Sequence, residues 1–446
     1  MRGRFLCFGR LGAGAVSGAG KGFPLRILIV HQYFLGAQDA GGSRFNQFAR
    51  YWAEAGHDVT VLAGTVHYAT GRKPEAYRGR FLVRETAPGG VHVIRCHVSG
   101  RYNVSFLGRA WAYFGFTLSS LWAALTGVPR PDVVIATSPP LTVGLTALVL
   151  RLLTGTPYVF EVRDLWPDFA VATGVIRNPV TKAVGYAMER LSYRGASWVN
   201  ALTPAFEEVL ATRKGVPRRR LSMIPNGADL DLMKPGPREN EVRRRLGLEG
   251  KFVVSYFGAH GRANRLGQLL DTAERVRDTM PDVRFMLVGD GMEKPMLVED
   301  ARRRGLGNVM FVDAVAKSEV CDYINASDVC TAVLMKKEAF KTVYPNKVFD
   351  YMACARPVIV VIDGAARELV ERAGAGVFAE PEDPDAIAAR IRELKNAPAR
   401  CRHMGEAGRR FVERHYDRKA LAAEYERLLC TVAARHTGGS RKGCRR

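Results

Sequence analysis

Short apolar runs alternate along the chain with stretches whose apolar positions recur at helical spacing. Leu25–Val30 reads as a strand, His31 to Gly42 as a long loop, Arg44 to Ala55 as a helix, and Val59–Ala63 as a second strand. That is a β-α-β unit. From Thr65 to Val91 the chain is polar and Gly-rich and reads as loop, with a strand at His92–Arg95. Arg109 to Arg130 encloses an uncharged, aromatic-rich stretch of about the length of a membrane span. Thr117, Ser119 and Ser120 interrupt it, so it reads as a core helix or a helix lying in a membrane interface rather than a crossing. Strands follow at Asp132–Thr137, Thr156–Val162, Trp198–Leu202 and Leu221–Ile224, with helices at Leu141–Leu153 and Val180–Arg194. Lys234-Pro235-Gly236-Pro237 reads as a linker.

Beyond it the scheme repeats. Strands are predicted at Phe252–Phe257, Arg284–Val288, Val309–Val312 and Val329–Leu334, with helices at Leu266–Met280, Lys294–Arg304 and Ser318–Ala326. The most telling stretch runs from Tyr344 to Ile362. Pro345 can open a helix, because its missing N–H would be unpaired there anyway. Val348, Tyr351 and Met352 face a core, Arg356-Pro357 ends the helix, and Val358–Ile362 is a strand apolar on both faces. Strand and helix alternating with short loops predict two doubly wound, Rossmann-like α/β domains with parallel sheets, facing each other across a cleft. Their expected bounds are 24–232 and 233–416, the helix 417–436 packing back on the first domain, with a basic disordered extension at 1–23 and a basic tail at 437–446.

A length of 446 residues exceeds a single core, and 47% hydrophobic with 25% charged residues is a globular composition. Eight cysteines without any Cys-x-x-Cys read as reduced structural thiols of a cytosolic protein. The net charge of +22 includes basic termini and the triplets 218–220, 243–245 and 302–304. It reflects a basic proteome, or else suits an anionic partner such as a membrane surface. Nucleic acid fits less well, since the triplets lie on scattered segments with few interleaved aromatics.

Candidate chemistry gathers at the ends of strands. Asn346, Lys347 and Asp350 fall in the first turn or so of the predicted helix, whose free N–H groups suit a phosphate. Lys347 adds a full charge, and Asp350 can accept two hydroxyl hydrogen bonds from a ribose. The alternative is a capped, solvated helix start. Gly41 and Gly42, ahead of the helix at Arg44, let the backbone approach a ligand closely. Arg163 and Asp164 end a strand on the cleft side, where they orient donor or acceptor, or else form an ion pair within the domain. Asp229-Leu230-Asp231 has the form of a metal-binding pair but follows a turn at the domain boundary, and no metal site is expected.

Gly41-Gly42, Glu161 to Pro167, Ile224-Pro225-Asn226-Gly227, Gly289-Asp290-Gly291 and Pro345-Asn346-Lys347 with Asp350-Tyr351-Met352-Ala353 follow one another in an order that resembles the retaining nucleotide-sugar glycosyltransferases of GT-B architecture. Within them the chain resembles the large fourth sequence family, and most its branch that adds amino sugars to bacterial surface polysaccharides. The resemblance covers about residues 25 to 430. It implies transfer with retention from a UDP- or GDP-sugar donor to a polyprenyl-phosphate-linked or saccharide acceptor, without a metal or other cofactor. It also implies a cytoplasmic enzyme held at the inner face of the plasma membrane, against an anionic surface, with no nucleic acid. By the same resemblance Gly41 and Gly42 approach the donor, Arg262, Asn264 and Lys347 hold its diphosphate, Asn346 lies beside them, Asp350 holds the ribose, and Glu368 lies near the sugar-phosphate end.

The chain departs from the family pattern in three places. Arg163 stands where many relatives have a His, Thr342 stands where the first of two paired glutamates falls, with Glu338 a few residues early, and the Arg–Lys pair after the first strand of the second domain is replaced by choices among Arg262, Asn264 and Arg265. A sugar-nucleotide epimerase on the same architecture is the alternative enzyme, and a nucleic-acid-binding protein the alternative of another class.

Overall fold

The structure, a computed structural model, describes residues 24–36, 44–66, 73–100 and 106–443. In the first domain eight strands order as β3-β4-β2-β1-β5-β6-β7-β8, with β1 Arg26–Val30, β2 Asp58–Gly64, β3 Leu82–Ala87, β4 Val91–Cys96, β5 Val133–Ser138, β6 Tyr158–Val162, β7 Trp198–Ala201 and β8 Leu221–Met223. All neighbours are parallel except β3 and β4. Its helices are α1 Arg44–Glu54, α2 Phe106–Thr126, α3 Val143–Thr154, α4 Asp168–Ala172, α5 Pro179–Gly195 and α6 Pro204–Thr212.

The second domain is a six-stranded, wholly parallel sheet ordered β11-β10-β9-β12-β13-β14, with β9 Phe252–Phe257, β10 Val283–Val288, β11 Val309–Val312, β12 Val329–Val333, β13 Val358–Val361 and β14 Gly376–Phe378. Around it lie α7 Glu241–Leu246, α8 Gly267–Val276, α9 Lys294–Arg303, α10 Val320–Asn325, α11 Asn346–Ala353, α12 Ala365–Ala373, α13 Pro384–Lys395 and α14 Pro398–His415. The last helix, α15 Arg418–Gly443, crosses to the first domain.

The pleat divides the core. Leu28 and Val30 of β1 face the layer that carries Phe116, Val143 and Tyr193, whereas Ile27 and Ile29 face Phe45, Phe48, Trp52 and Tyr425. Strands covered on both faces must be apolar throughout, and this is why the parallel strands are readable as runs. The stretch from Thr65 to Val91, read as loop, holds the strand β3. It is an edge strand with one neighbour, so Arg84 and Glu85 stay at least partly open to solvent and no apolar run marks it.

The two domains are tied at the turn after β8. Arg44 forms a buried ion pair with Glu161 at 2.9 Å and donates to the carbonyls of Ile224 (2.8 Å) and Pro225. Ala228 N donates to Tyr416 O, and Arg418 N returns to Ala228 O. A Cβ on Gly227 would stand 2.2 Å from Tyr416 O, so only glycine lets the two segments meet. Helix α15 then docks on α1: Trp52 Nε1 donates to Ala422 O at 2.9 Å, and His57 Nε2 meets Glu426 Oε1 at 3.0 Å. Among the described residues no helix is long and apolar enough to cross a membrane. Helix α2 buries Ala112, Phe116 and Ala123 and leaves Trp111, Leu118 and Trp122 exposed.

Candidate active site

Strand order reverses between β1 and β5 in one sheet and between β9 and β12 in the other, and ligands of open α/β sheets sit at the carboxyl ends of strands at such points. These ends face a cleft of about 590 Å³ lined by residues of both domains, among them Arg163, Asp164 and Asn226 from the first and Ala263, Tyr344 and Asn346 from the second.

On the first wall Arg163 follows β6. It makes no ion pair among the described residues, and its Nη1 lies 3.2 Å from Nε2 of His31, the residue that follows β1. A guanidinium only donates, so Nε2 accepts and the imidazole proton sits on Nδ1. His31 is 3% exposed. Burial first, and then the charges of Arg163 and Arg95, hold it well below its usual pKa, so it is a neutral acceptor at physiological pH. Asp164 is pushed up to about 6 by burial, with Arg163 pulling the other way. The site therefore presents a cation held by a neutral side chain, beside a carboxyl close to titration.

On the second wall the loop after β9 meets the start of α11. The Lys347 amine lies 3.7 Å from the centre of the Tyr256 ring and forms no ion pair among the described residues. Burial brings it down to about 7. A Cβ on Gly258 would come within 3.0 Å of that amine, so the glycine leaves open the space in front of it. Asn264 Nδ2 donates to Ala259 O at 2.9 Å and fixes the loop. Arg262 is exposed and forms no ion pair among the described residues, whereas Arg265 leans on Glu382 at 3.5 Å. Asp350 pairs loosely with Lys317 at 3.5 Å, while its Oδ1, like the Oδ1 atoms of Asn346 and Asn226, is buried without a partner. Among the described residues, three unpartnered acceptors and the cations Arg163, Lys347 and Arg262, none of them in an ion pair, suit an anionic ligand that carries hydroxyl groups.

The structure thus brings Arg163, Asp164 and Asn346 into one cavity, with Lys347 and Asp350 deeper along α11 and Arg262 and Asn264 on the adjoining loop. Glu368, in the first turn of α12, is exposed and is not among the residues that line the cavity. Gly41 and Gly42 lie outside the described residues. Thr342, in the place of a family glutamate, offers its carbonyl to Thr203 Oγ1 at 2.8 Å, and Phe340 packs on Phe169 with ring centres 5.8 Å apart, so this segment closes the floor between the domains. Glu338 is taken by Lys341 at 2.8 Å. The sequence reading places His31 at the start of a loop and misses its contact with Arg163. Its one signal was a polar residue ending an apolar strand.

Other charged motifs have structural work. Asp229 Oδ1 caps the turn at the N–H groups of Asp231 and Leu232, and its second oxygen accepts from Gln47. Six of the nine triplet arginines pair within the fold: Arg218 with Glu208, Arg243 with Asp328, Arg244 with Glu241, and Arg302, Arg303 and Arg304 with Glu299, Asp300 and Asp271.

Residues 40–227 match the family described as glycosyl transferase 4-like domain, and residues 251–396 that described as glycosyl transferases group 1. The chain is 24% identical over 394 residues to the putative colanic acid biosynthesis glycosyl transferase WcaI of Escherichia coli K12, a span of 86% of this chain and 94% of that protein. Sucrose-phosphate synthase of Thermosynechococcus elongatus superposes with a TM-score of 0.73 at 19% identity, over 92% of this chain and 99% of that one. Anabaena HepE in complex with UDP-glucose does so with 0.68 at 18%, over 91% and 100%. At these identities the structural likeness establishes the fold, two parallel-sheet domains in the GT-B arrangement.

Proposed function

The chain carries a glycosyl transferase 4-like domain followed by a group 1 glycosyltransferase domain, and from that premise we propose that it moves a sugar from a nucleotide-sugar donor to an acceptor in the synthesis of a bacterial surface polysaccharide. The colanic acid relative supports the pathway class, and the HepE complex supports a UDP-sugar as donor. The observation that carries the reading is the pair of unpaired cations, Arg163 and Lys347, set about one interdomain cleft with the unpartnered Oδ1 of Asp350 behind them.

In this reading the diphosphate lies at the start of α11. Lys347 and the free N–H groups of that helix meet the negative charge that develops as the sugar–phosphate bond breaks, and preorganised donors of this kind lower the barrier. Asp350 exchanges its contact with Lys317 for the ribose hydroxyls. Arg163, held by His31, orients the sugar or acceptor from the opposite wall. Transfer proceeds on the donor face with retention, the diphosphate taking the acceptor proton, and the charges present need no metal. The acceptor is a lipid-linked sugar, with an N-acetylamino sugar as one candidate for the group transferred, and the enzyme works from the cytoplasm on the inner membrane face.

A thermal-shift panel of UDP, GDP and ADP, with and without EDTA, tests this. A nucleotide at 100 times its dissociation constant adds about 2.7 kcal/mol of stability. One nucleotide should shift the protein irrespective of EDTA and lose its effect in Lys347→Ala and Asp350→Ala. No shift with any nucleotide, or a shift both variants keep, rejects the donor site.

A further inference from the structure

A second cavity of about 300 Å³ adjoins the cleft on the first domain. It runs between α2 and α5, and its lining is apolar: Phe114, Pro140, Ile176, Val180, Val184 and Met188 are typical. Among the described residues Arg109 is the one charged side chain that lines it, and Arg109, Pro139, Trp166 and Val175 line both cavities, so the groove opens directly into the cleft. Among the described residues the cleft end carries Arg109 and Arg163 against one carboxyl, that of Asp164.

The outer mouth is equally distinctive. Trp111, Phe114, Leu118, Trp122 and Leu125 recur at spacings of three and four along α2 and are 68%, 45%, 67%, 58% and 45% exposed. Val180 and Val184 of α5 continue the apolar surface across the groove at 69% and 50%. Soluble domains seldom leave such a face open without a partner. The gradient, from cations at the inner end to bare hydrocarbon at the outer, is complementary to an amphiphile with an anionic head and a long chain.

We propose that the groove between α2 and α5 holds the hydrocarbon chain of a prenyl-type lipid phosphate, its phosphate at Arg109 and Arg163 and its tail leaving past Phe114 and Val184. This deepens the acceptor side of the glycosyltransferase reading and rests on it. The chain then does more than anchor: it places the acceptor sugar in the cleft at a fixed distance from the donor.

The test is calorimetric binding of phytanyl monophosphate below its micellar concentration, with inorganic phosphate and phytanol as partial ligands. Three variants are compared, all at exposed positions: Val184→Glu and Phe114→Ser in the groove, and Leu152→Glu on α3, an exposed leucine outside it. The wild type and Leu152→Glu should bind phytanyl phosphate alike, Val184→Glu and Phe114→Ser at least tenfold more weakly, and each partial ligand far less tightly. Failure of the wild type to bind, equal binding by the groove variants, or equal loss in Leu152→Glu (general adsorption to grease) overturns the groove. So does a dimer that Val184→Glu splits while phytanyl phosphate binding persists. The UDP-induced thermal shift on the same wild-type sample separates the two readings. A shift without lipid binding removes the groove and leaves the transferase standing. Absence of both removes the donor site as well.

Discussion

The guanidinium of Arg163 donates to Nε2 of His31 over 3.2 Å, joining the carboxyl ends of β6 and β1 across 132 residues of sequence. The bond gives a fixed direction to a cation that forms no ion pair among the described residues, and it leaves that charge in place, since burial keeps the imidazole neutral.

Arg163→Ala should lower kcat/KM by roughly 10²-fold or more, the scale of losing one oriented charge from a dry site. His31→Ala should cost roughly tenfold through kcat with little change in KM for the donor, because the cation remains but is free to turn. His31→Gln, which restores an acceptor, should recover most of that loss. Steady-state kinetics on the three variants decide; equal loss in His31→Gln and His31→Ala would falsify the orienting role.

Lys347 sits near pKa 7 when free, and a diphosphate beside it raises that value. The complex therefore holds more protons than the free protein above pH 7. UDP binding should take up close to one proton at pH 8 and weaken with rising pH, by up to about tenfold per unit, until the bound pKa is reached. Titration calorimetry in buffers of different ionisation enthalpy measures the uptake. Lys347→Met should abolish it.

Burial holds the Asp164 carboxyl at about 6, above its ordinary 3.8. A raised folded pKa means that the carboxyl favours the folded state below about pH 4 and loses that advantage as pH climbs through 6. Asp164→Asn should thus stabilise the protein at pH 8, on the order of 1–3 kcal/mol, and do little at pH 4. A set of melting curves between pH 4 and 8 checks the sign. A constant difference across that range would contradict it.

Glu161 is the buried partner of Arg44, at 2.9 Å, and also accepts from Asn200 Nδ2 at 2.9 Å. Glu161→Gln leaves the arginine buried beside no counter-charge and should destabilise by about 3–5 kcal/mol. Arg44 also anchors the carbonyls of Ile224 and Pro225, next to Asn226 of the cleft. The same variant should therefore weaken nucleotide-sugar turnover even at temperatures where it stays folded, which comparison of activity with circular dichroism at each temperature would show.

The parallel strands were legible because a strand covered on both faces admits only apolar residues, and the chain writes that as a run: Val358–Val361 is buried throughout. Helix α11 was legible too, since Pro345, Asn346, Lys347 and Asp350 lie within six positions and helix-start chemistry is local. Strand β3 was not, because an edge strand needs no apolar run. Neither was the apolar groove. In the sequence α2 reads as an aromatic-rich helix of the core or of a membrane interface, and nothing local says that Phe114 would share a groove with Val180 and Val184, more than sixty residues on.

The sequence by itself determined two α/β halves, the strand ends where ligands gather, and the helix start that carries Lys347, because periodicity and helix-end chemistry act over a few residues. Only the tertiary structure decided which charges stay unpaired. Six of the nine triplet arginines, conspicuous in the sequence, pair with carboxylates up to 85 residues away, while Arg163 faces a neutral His31 and Lys347 an aromatic ring. Pairing depends on distances of a few ångströms between segments far apart along the chain, and burial, which sets whether a charge survives, is a property of the assembled core.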